Sequence, residues 1–394
     1  MNENIVIVEA VRTPVGKYGG GLKDFNSGDL ASIAIKEAIN RVGVSPEQVD
    51  EVILGEVRQT TESSNVARVA ALSAGVPETS PAFTINRLCA SGMQAVASGI
   101  QQIVSNQANI VIAGGTESLS NAPVYIRNSH FGGDRTRLVD SNLEVGQQPI
   151  EMYGKNLGMG MTAENVAEKY EISREDQDAF AIESQTRAFT AIKNGTFKEE
   201  IVPVTINQKK NTFEFDTDEH PRPNTSLEKL SQLKPVFKAD GTVTAGNACG
   251  RNDGAVALVL MTEEKAKELS LNPLARIVDW ATAGVDPRVM GIGPVPAVSK
   301  LLNRTGHKLD EIGLVELNEA FASQSLAVIR ELGLDQEKVN VNGGAIALGH
   351  PLGATGARLL TSLIYEMKRR DEKNGIATLC VGGGQGMAMM VERL

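Results

Sequence analysis

The sequence predicts an α/β protein of two similar halves that stack as a five-layer sandwich, with a long insertion in the first half. Three observations point there. Helix-spaced and strand-like apolar segments alternate along all 394 residues. Sequence blocks recur at a constant offset: Asn40-Arg41-Val42-Gly43 returns as Asn303-Arg304-Thr305-Gly306, 263 residues later, and Ser91-Gly92 returns as Thr355-Gly356 at 264. Glycine, at 39 residues, exceeds the ~7% of average chains, so many backbones can approach closely.

Taken in order, Met1–Ala10 alternates polar and apolar residues and reads as a first strand. An amphipathic helix follows and stops at Gly43, and Val52-Ile53-Leu54 then forms a strand that leads to Glu56. A helix opens at Ser91-Gly92 and runs through Ile100 and Ile103 to a strand at Asn109–Gly115. Residues 118–246 have no counterpart later and form the insertion. It holds one helix predicted at Thr162–Asn194, with a capping signal at Ser173-Arg174-Glu175-Asp176, and a polar run Asn207–Asn224. The strand Gly254–Leu260 closes the first half, residues 1–270. Residues 271–394 repeat the plan: a helix ending at Gly306, a strand at Gly313–Leu317, a helix from Thr355, a strand at Ile376–Leu379, and a terminal strand resembling Gly254–Leu260.

Composition narrows the function classes. The net charge of −9 gives no positive field for nucleic acid or anionic lipid. Three scattered cysteines fit a reduced, cytoplasmic protein rather than a disulfide framework. The longest apolar run, Ala255–Met261, is far short of the ~20 residues that span a bilayer, and the N-terminus lacks a signal-peptide pattern. His130, His220 and His307 show no metal-ligand spacing, so no metal is expected.

Four segments are suited to chemistry. Cys89, in Asn86-Arg87-Leu88-Cys89-Ala90-Ser91-Gly92, precedes a helix whose N-terminal N–H groups and dipole favour a thiolate. A small buried hydrophobe is the alternative. His350 lies in the Gly-rich stretch Gly349-His350-Pro351 at the equivalent junction of the second half, as a base or as a residue fixing a turn. Pseudo-two-fold packing would bring it to Cys89. Cys380 precedes Gly382-Gly383-Gly384, whose N–H groups suit an oxyanion hole. Asn318 ends a strand, where α/β sheets gather ligands, although a helix N-cap is an equal reading.

With these segments the chain resembles the thiolase family, the acyl-CoA:acetyl-CoA C-acyltransferases, over essentially its whole length. The match rests on Asn86–Gly92, Asn318-Glu319-Ala320-Phe321-Ala322, Gly349-His350-Pro351 and Cys380-Val381-Gly382-Gly383-Gly384. The resemblance implies reversible thiolysis of 3-ketoacyl-CoA by CoA, or condensation of two acetyl-CoA, by a ping-pong route through acyl-Cys89. It implies that His350 activates Cys89 and, with a water held by Asn318, binds a thioester oxygen. Cys380 would be the second acid/base, and the N–H groups of Cys89 and Gly382 a second oxyanion pocket. It further implies that Arg222 lies near the adenine end of CoA, that Phe321 and Met159 line the pantetheine and acyl path, that no cofactor is needed, and that the chain forms a homodimer or homotetramer.

Two departures stand out. Asn247-Ala248-Cys249 replaces the family's usual Asn-x-Ser, which puts a thiol where a substrate-contacting hydroxyl is expected and offers a third reactive cysteine. Gly158-Met159-Gly160-Met161 lacks the His-Met-Gly of acetoacetyl-CoA-making members, so the chain looks more like the degradative thiolases. Decarboxylating condensing enzymes share the fold but place a second His where Cys380 stands. A non-catalytic acyl-CoA carrier is disfavoured by retention of all four positions, and a dinucleotide enzyme by a Gly run that leads into a strand instead of a helix.

Overall fold

A computed structural model describes residues 4–127, 129–132, 138–144, 146–208 and 211–394. The first half begins with β1 (Ile5–Arg12), β2 (Gly16–Lys17), α1 (Ser27–Val42) and β3 (Glu51–Gly55). It continues with α2 (Val66–Ser73), β4 (Ala82–Ile85), α3 (Ser91–Val104) and β5 (Val111–Ser118). The insertion carries the hairpin β6 (Val124–Ile126) and β7 (Leu138–Asp140), helices α4 (Ile150–Tyr153), α5 (Met159–Lys169) and α6 (Arg174–Lys193), the hairpin β8 (Val204–Gln208) and β9 (Asn211–Phe215), and α7 (Leu227–Ser231). β10 (Asn252–Thr262) and α8 (Glu263–Glu268) close this half. The second half comprises β11 (Ala275–Gly284), α9 (Pro294–Thr305), β12 (Leu314–Leu317), α10 (Ala322–Leu332), α11 (Ala345–Leu348), α12 (Leu352–Arg370), β13 (Asn374–Val381) and β14 (Gln385–Arg393).

The halves are equivalent strand by strand. The order β4-β3-β5-β10-β1 is mirrored by β12-β13-β14-β11, with a parallel bridge from Val315 to Val339 standing where β3 pairs β4. β3 runs parallel to β5, while β10 is antiparallel to both β5 and β1. The two halves of the sheet join where Val6 and Ile7 of β1 pair Arg276 and Ala275 of β11, with Leu274 N donating to Ile7 O at 2.8 Å. The repeated helices stop alike: α1 at Gly43 with φ 75 and α9 at Gly306 with φ 73, left-handed positions that favour glycine.

Three apolar cores define the five layers. One packs α1 and α2 on the outer face of the first sheet, and another packs α9 and α10 on the outer face of the second. The central core packs α3 and α12 between both sheets, drawing on Ile100, Val256, Leu360 and Met389. A helix with a sheet on each side must be apolar or small nearly all round. α12 accordingly buries Gly353 through Met367, and β5 is buried along its whole length.

The single helix expected over Thr162–Asn194 is two. Glu171 takes φ 52 and ends α5, and Ser173 caps α6 by accepting a hydrogen bond from Asp176 N. The capping signal marked a new helix rather than the interior of one. The polar run after Asn207 turns back as the β8–β9 hairpin, its residues 209–210 lying outside the described residues, as do residues 1–3 of the expected first strand. The insertion packs on the second half: Ser323 Oγ donates to Ala163 O at 3.0 Å, and Ser184 Oγ donates to Glu319 Oε2 at 2.6 Å.

Candidate active site

The site forms where α3 and α12 cross. A Cβ on Gly92 would lie 2.7 Å from Gly353 O, and one on Gly356 would lie 2.7 Å from the Met93 N, so glycine is what lets the helices touch. This crossing brings together the segments that enter the two helices, one carrying Cys89 and the other His350.

Leu88 adopts φ 46, a strained conformation for a branched residue, and Cys89 follows it inside the turns closed by Ala90 N to Arg87 O and Ser91 N to Leu88 O. The strain is held locally. Leu88 N donates to Asn86 Oδ1 at 2.9 Å, Arg87 N donates to Ser91 Oγ at 2.9 Å, and Ser91 Oγ donates to Leu88 O at 2.6 Å. Gly382 packs against Leu88, and the backbone N–H groups of Gly382 and of Cys89 itself favour the Cys89 thiolate. The expected thiolate is not the resting state. Burial pushes the Cys89 thiol up to about 11, outweighing these donors, because the sulfur sits two residues before α3 in an apolar wall. Cys249 is pushed up to about 12 and Cys380 well above its usual range, each by burial first and then by a neighbouring thiol. All three are free, and Cys89 and Cys249 are half-buried while Cys380 is buried.

His350 is buried in the loop between α11 and α12. Its Nδ1 lies 2.7 Å from Thr355 Oγ1, and that hydroxyl gives its single proton to Pro351 O at 2.8 Å. The imidazole must therefore carry its proton on Nδ1, leaving the Nε2 lone pair toward the site. Burial, and secondarily Arg358, lowers its pKa to about 3, so the ring is neutral. Asn318 Nδ2 sits 3.5 Å from that Nε2 and its N donates to Thr378 O at 3.0 Å. The N-cap of α10 is Phe321, which removes the helix-cap reading of Asn318. Asn318 Oδ1 is buried with no hydrogen-bond partner among the described residues.

Cys380, Phe321, Ala320, Ala163 and Met290 form one apolar wall, with Met159 and Ala248 packed on it. Phe237 meets Phe321 edge-to-face, with ring centroids 6.4 Å apart. Arg222 is not part of this wall. It is exposed and lines a cleft of about 640 Å³ with Lys17, Tyr18, His220 and Arg251. The segment Cys249-Gly250-Arg251-Asn252 joins the two regions, since Asn252 Oδ1 accepts from His350 N at 3.0 Å while Gly250 and Arg251 border the cleft.

The thiolase N-terminal domain family matches residues 5–264, and the thiolase C-terminal domain family matches residues 271–393. The chain belongs to the thiolase family. The acetyl-CoA acetyltransferase of Syntrophomonas wolfei is 50% identical over the whole of both chains. The crystal structure of the Bacillus anthracis acetyl-CoA acetyltransferase superposes with a TM-score of 0.96 at 51% identity, covering 100% of this chain and 99% of that one. Human mitochondrial 3-ketoacyl-CoA thiolase in complex with CoA superposes at 0.94 with 46% identity, covering 100% of this chain and 98% of that one.

The fold of this thiolase gathers Cys89, Cys249, Cys380, His350, Asn318, Phe321 and Met159, the candidates picked out from the sequence. Sequence reasoning missed their supports: Thr355, which fixes the His350 tautomer, Asn252, which holds its backbone, and Asn86 and Ser91, which hold the strained turn. Thr355 was visible only as half of a repeated dipeptide, and a polar residue beside a motif carries no signal of its partner. His220 was set aside; burial, and then Arg222, lowers its pKa to about 4, and its ring covers Gly250 at the cleft wall. Among the described residues no group of three or more metal-ligating side chains occurs, and no helix is long and apolar enough to cross a membrane.

Proposed function

We infer that this thiolase cleaves 3-ketoacyl-CoA with CoA to acetyl-CoA and a shortened acyl-CoA, and in reverse condenses two acetyl-CoA. The observation that carries the residue assignment is the meeting, at the α3–α12 crossing, of two helix-entry segments, one carrying Cys89 next to the Gly382 loop and the other a neutral His350 whose Nδ1 is held by Thr355. A thiol near 11 beside an imidazole near 3 forms no resting ion pair. The proton therefore leaves sulfur only as the substrate carbonyl arrives and its oxygen is stabilised.

In our reading Nε2 of His350 takes the Cys89 proton while sulfur bonds the 3-keto carbon. The C2–C3 bond then breaks, the acyl group stays on Cys89, and the electron pair leaves with acetyl-CoA. Cys380, held protonated by burial, gives its proton to that carbon. A CoA thiol next attacks acyl-Cys89, Cys380 takes up its proton, and the Cys89 sulfur recovers its own from His350. The N–H groups of Cys89 and Gly382 serve one carbonyl oxygen; His350, with the water held by Asn318, serves the other. The cleft beside Arg222, where Arg251 adds positive charge and Lys17 is paired with Glu219, suits the phosphates of CoA, and Met159 and Phe321 line the thioester path next to Cys249. No cofactor enters these steps.

We further propose a cytoplasmic homodimer or homotetramer divided at residues 270/271. β4 ends the strand order with one edge unpaired among the described residues, which supports self-association. The degradative direction rests on the Met159–Met161 segment lacking a histidine. Initial rates of thiolysis at varied CoA and varied 3-ketoacyl-CoA, from four carbons upward, test the reading. Parallel double-reciprocal lines, with turnover persisting beyond four carbons, are expected; converging lines or no thiolysis overturn the ping-pong assignment.

A further inference from the structure

Glu117 is the penultimate residue of β5, fully buried, and no step above uses it. Its carboxylate accepts three backbone hydrogen bonds drawn from both halves of the molecule: Oε2 from Val57 N at 3.1 Å and Gly353 N at 2.8 Å, and Oε1 from Arg58 N at 2.9 Å. Each arm leads to one reacting group. On one side Asn86 Nδ2 donates to Val57 O at 3.4 Å while its Oδ1 holds Leu88 N, the strained residue before Cys89. On the other, Gly353 lies in the first turn of α12, between the Pro351 carbonyl that receives the Thr355 proton and Thr355 itself, which fixes the His350 ring.

We propose that Glu117 is a positioning residue that sets the approach of Cys89 to His350 by anchoring both entry segments on one carboxylate. The inference rests on the assignment of those two groups made above. A buried carboxylate is costly unless its lone pairs are filled, and three N–H donors, one at a helix N-terminus, fill them. The charged groups facing it are Glu56 at the end of β3, Arg58 just beyond, and Cys89 before α3. Glu56 is fully buried, and burial, then Glu117, pushes it up to about 8, with Ser27 opposing the shift. Burial likewise pushes Glu117 up to about 7.

The charge and the anchoring act in opposite directions on the thiol, which makes the role separable from mere packing. Glu117 raises the Cys89 pKa through its charge, yet holds Cys89 where turnover needs it. Glu117→Gln removes the charge and turns one acceptor into a donor that faces backbone N–H groups. We expect kcat for thiolysis, normalised to alkylatable Cys89, to fall at least tenfold with KM for CoA unchanged, while iodoacetamide alkylates Cys89 faster at about pH 8. Glu117→Asp keeps the charge but withdraws the carboxylate by one methylene, and should return alkylation toward the wild-type rate without restoring kcat. Unchanged kcat in folded Glu117→Gln, or lost kcat with alkylation unchanged or slower, overturns the inference. If Cys89→Ala still turns over, the functional reading fails instead.

Discussion

In the proposed reaction Cys89 is activated by arrangement rather than by acidity. Its thiol lies far above the physiological range, and the backbone N–H groups that favour its thiolate are worth more once charge has moved onto substrate oxygen. The same logic applies to Asn318, whose Nδ2 lies 3.5 Å from His350 Nε2, too long for a strong bond and open to a bridging group. Replacing Asn318 by Ala should lower kcat by about 10²–10³, equivalent to about 2.7–4 kcal/mol of barrier, with little change in KM. Steady-state thiolysis of acetoacetyl-CoA measures this, and a rise in KM at constant kcat would assign Asn318 to ground-state binding. The candidate side chains were legible because Cys89, His350 and Cys380 stand in distinctive glycine-rich segments. The sign of the Cys89 shift was not, because a helix terminus is written in the sequence while the apolar wall that outweighs it comes from distant residues.

At the scale of elements, the crossing of α3 and α12 fixes the site. Gly356→Ala gains roughly 1 kcal/mol of helix propensity but places a methyl 2.7 Å from the Met93 backbone, and overpacking of this kind costs about 1–3 kcal/mol. The clash should win. Urea unfolding is expected to show a loss of up to about 2 kcal/mol at unchanged m value, with kcat reduced because the helices carry Cys89 and His350 apart. Stability equal to or above wild type would show that the helices can slide to accept the methyl. The paired stops at Gly43 and Gly306 were readable, since a glycine after an amphipathic run has one local meaning. The break between α5 and α6 was misread: Tyr170-Glu171-Ile172 contains neither Gly nor Pro, and only the Ser173 cap marked it.

Across the whole molecule, duplication explains why one site needs both halves. Each half supplies one central helix and its entry loop, and the insertion of the first half seals the second through Ser184–Glu319 and Ser323–Ala163. The offset of 263 residues made the two sheets and their layering legible, because equal blocks in equal order specify equal folds. Contacts that cross between halves were not legible. Glu117 to Gly353 joins residues 236 apart with no shared pattern, and Asn252 to His350 joins residues 98 apart. The central claim is that this shared interior makes Cys89 the acyl acceptor. Intact-protein mass spectrometry after brief mixing with acetyl-CoA tests it most directly. The wild-type chain should gain one acetyl group, released on adding CoA, and Cys89→Ala should gain none; no adduct on the wild type, or an adduct that persists in Cys89→Ala, would contradict the assignment.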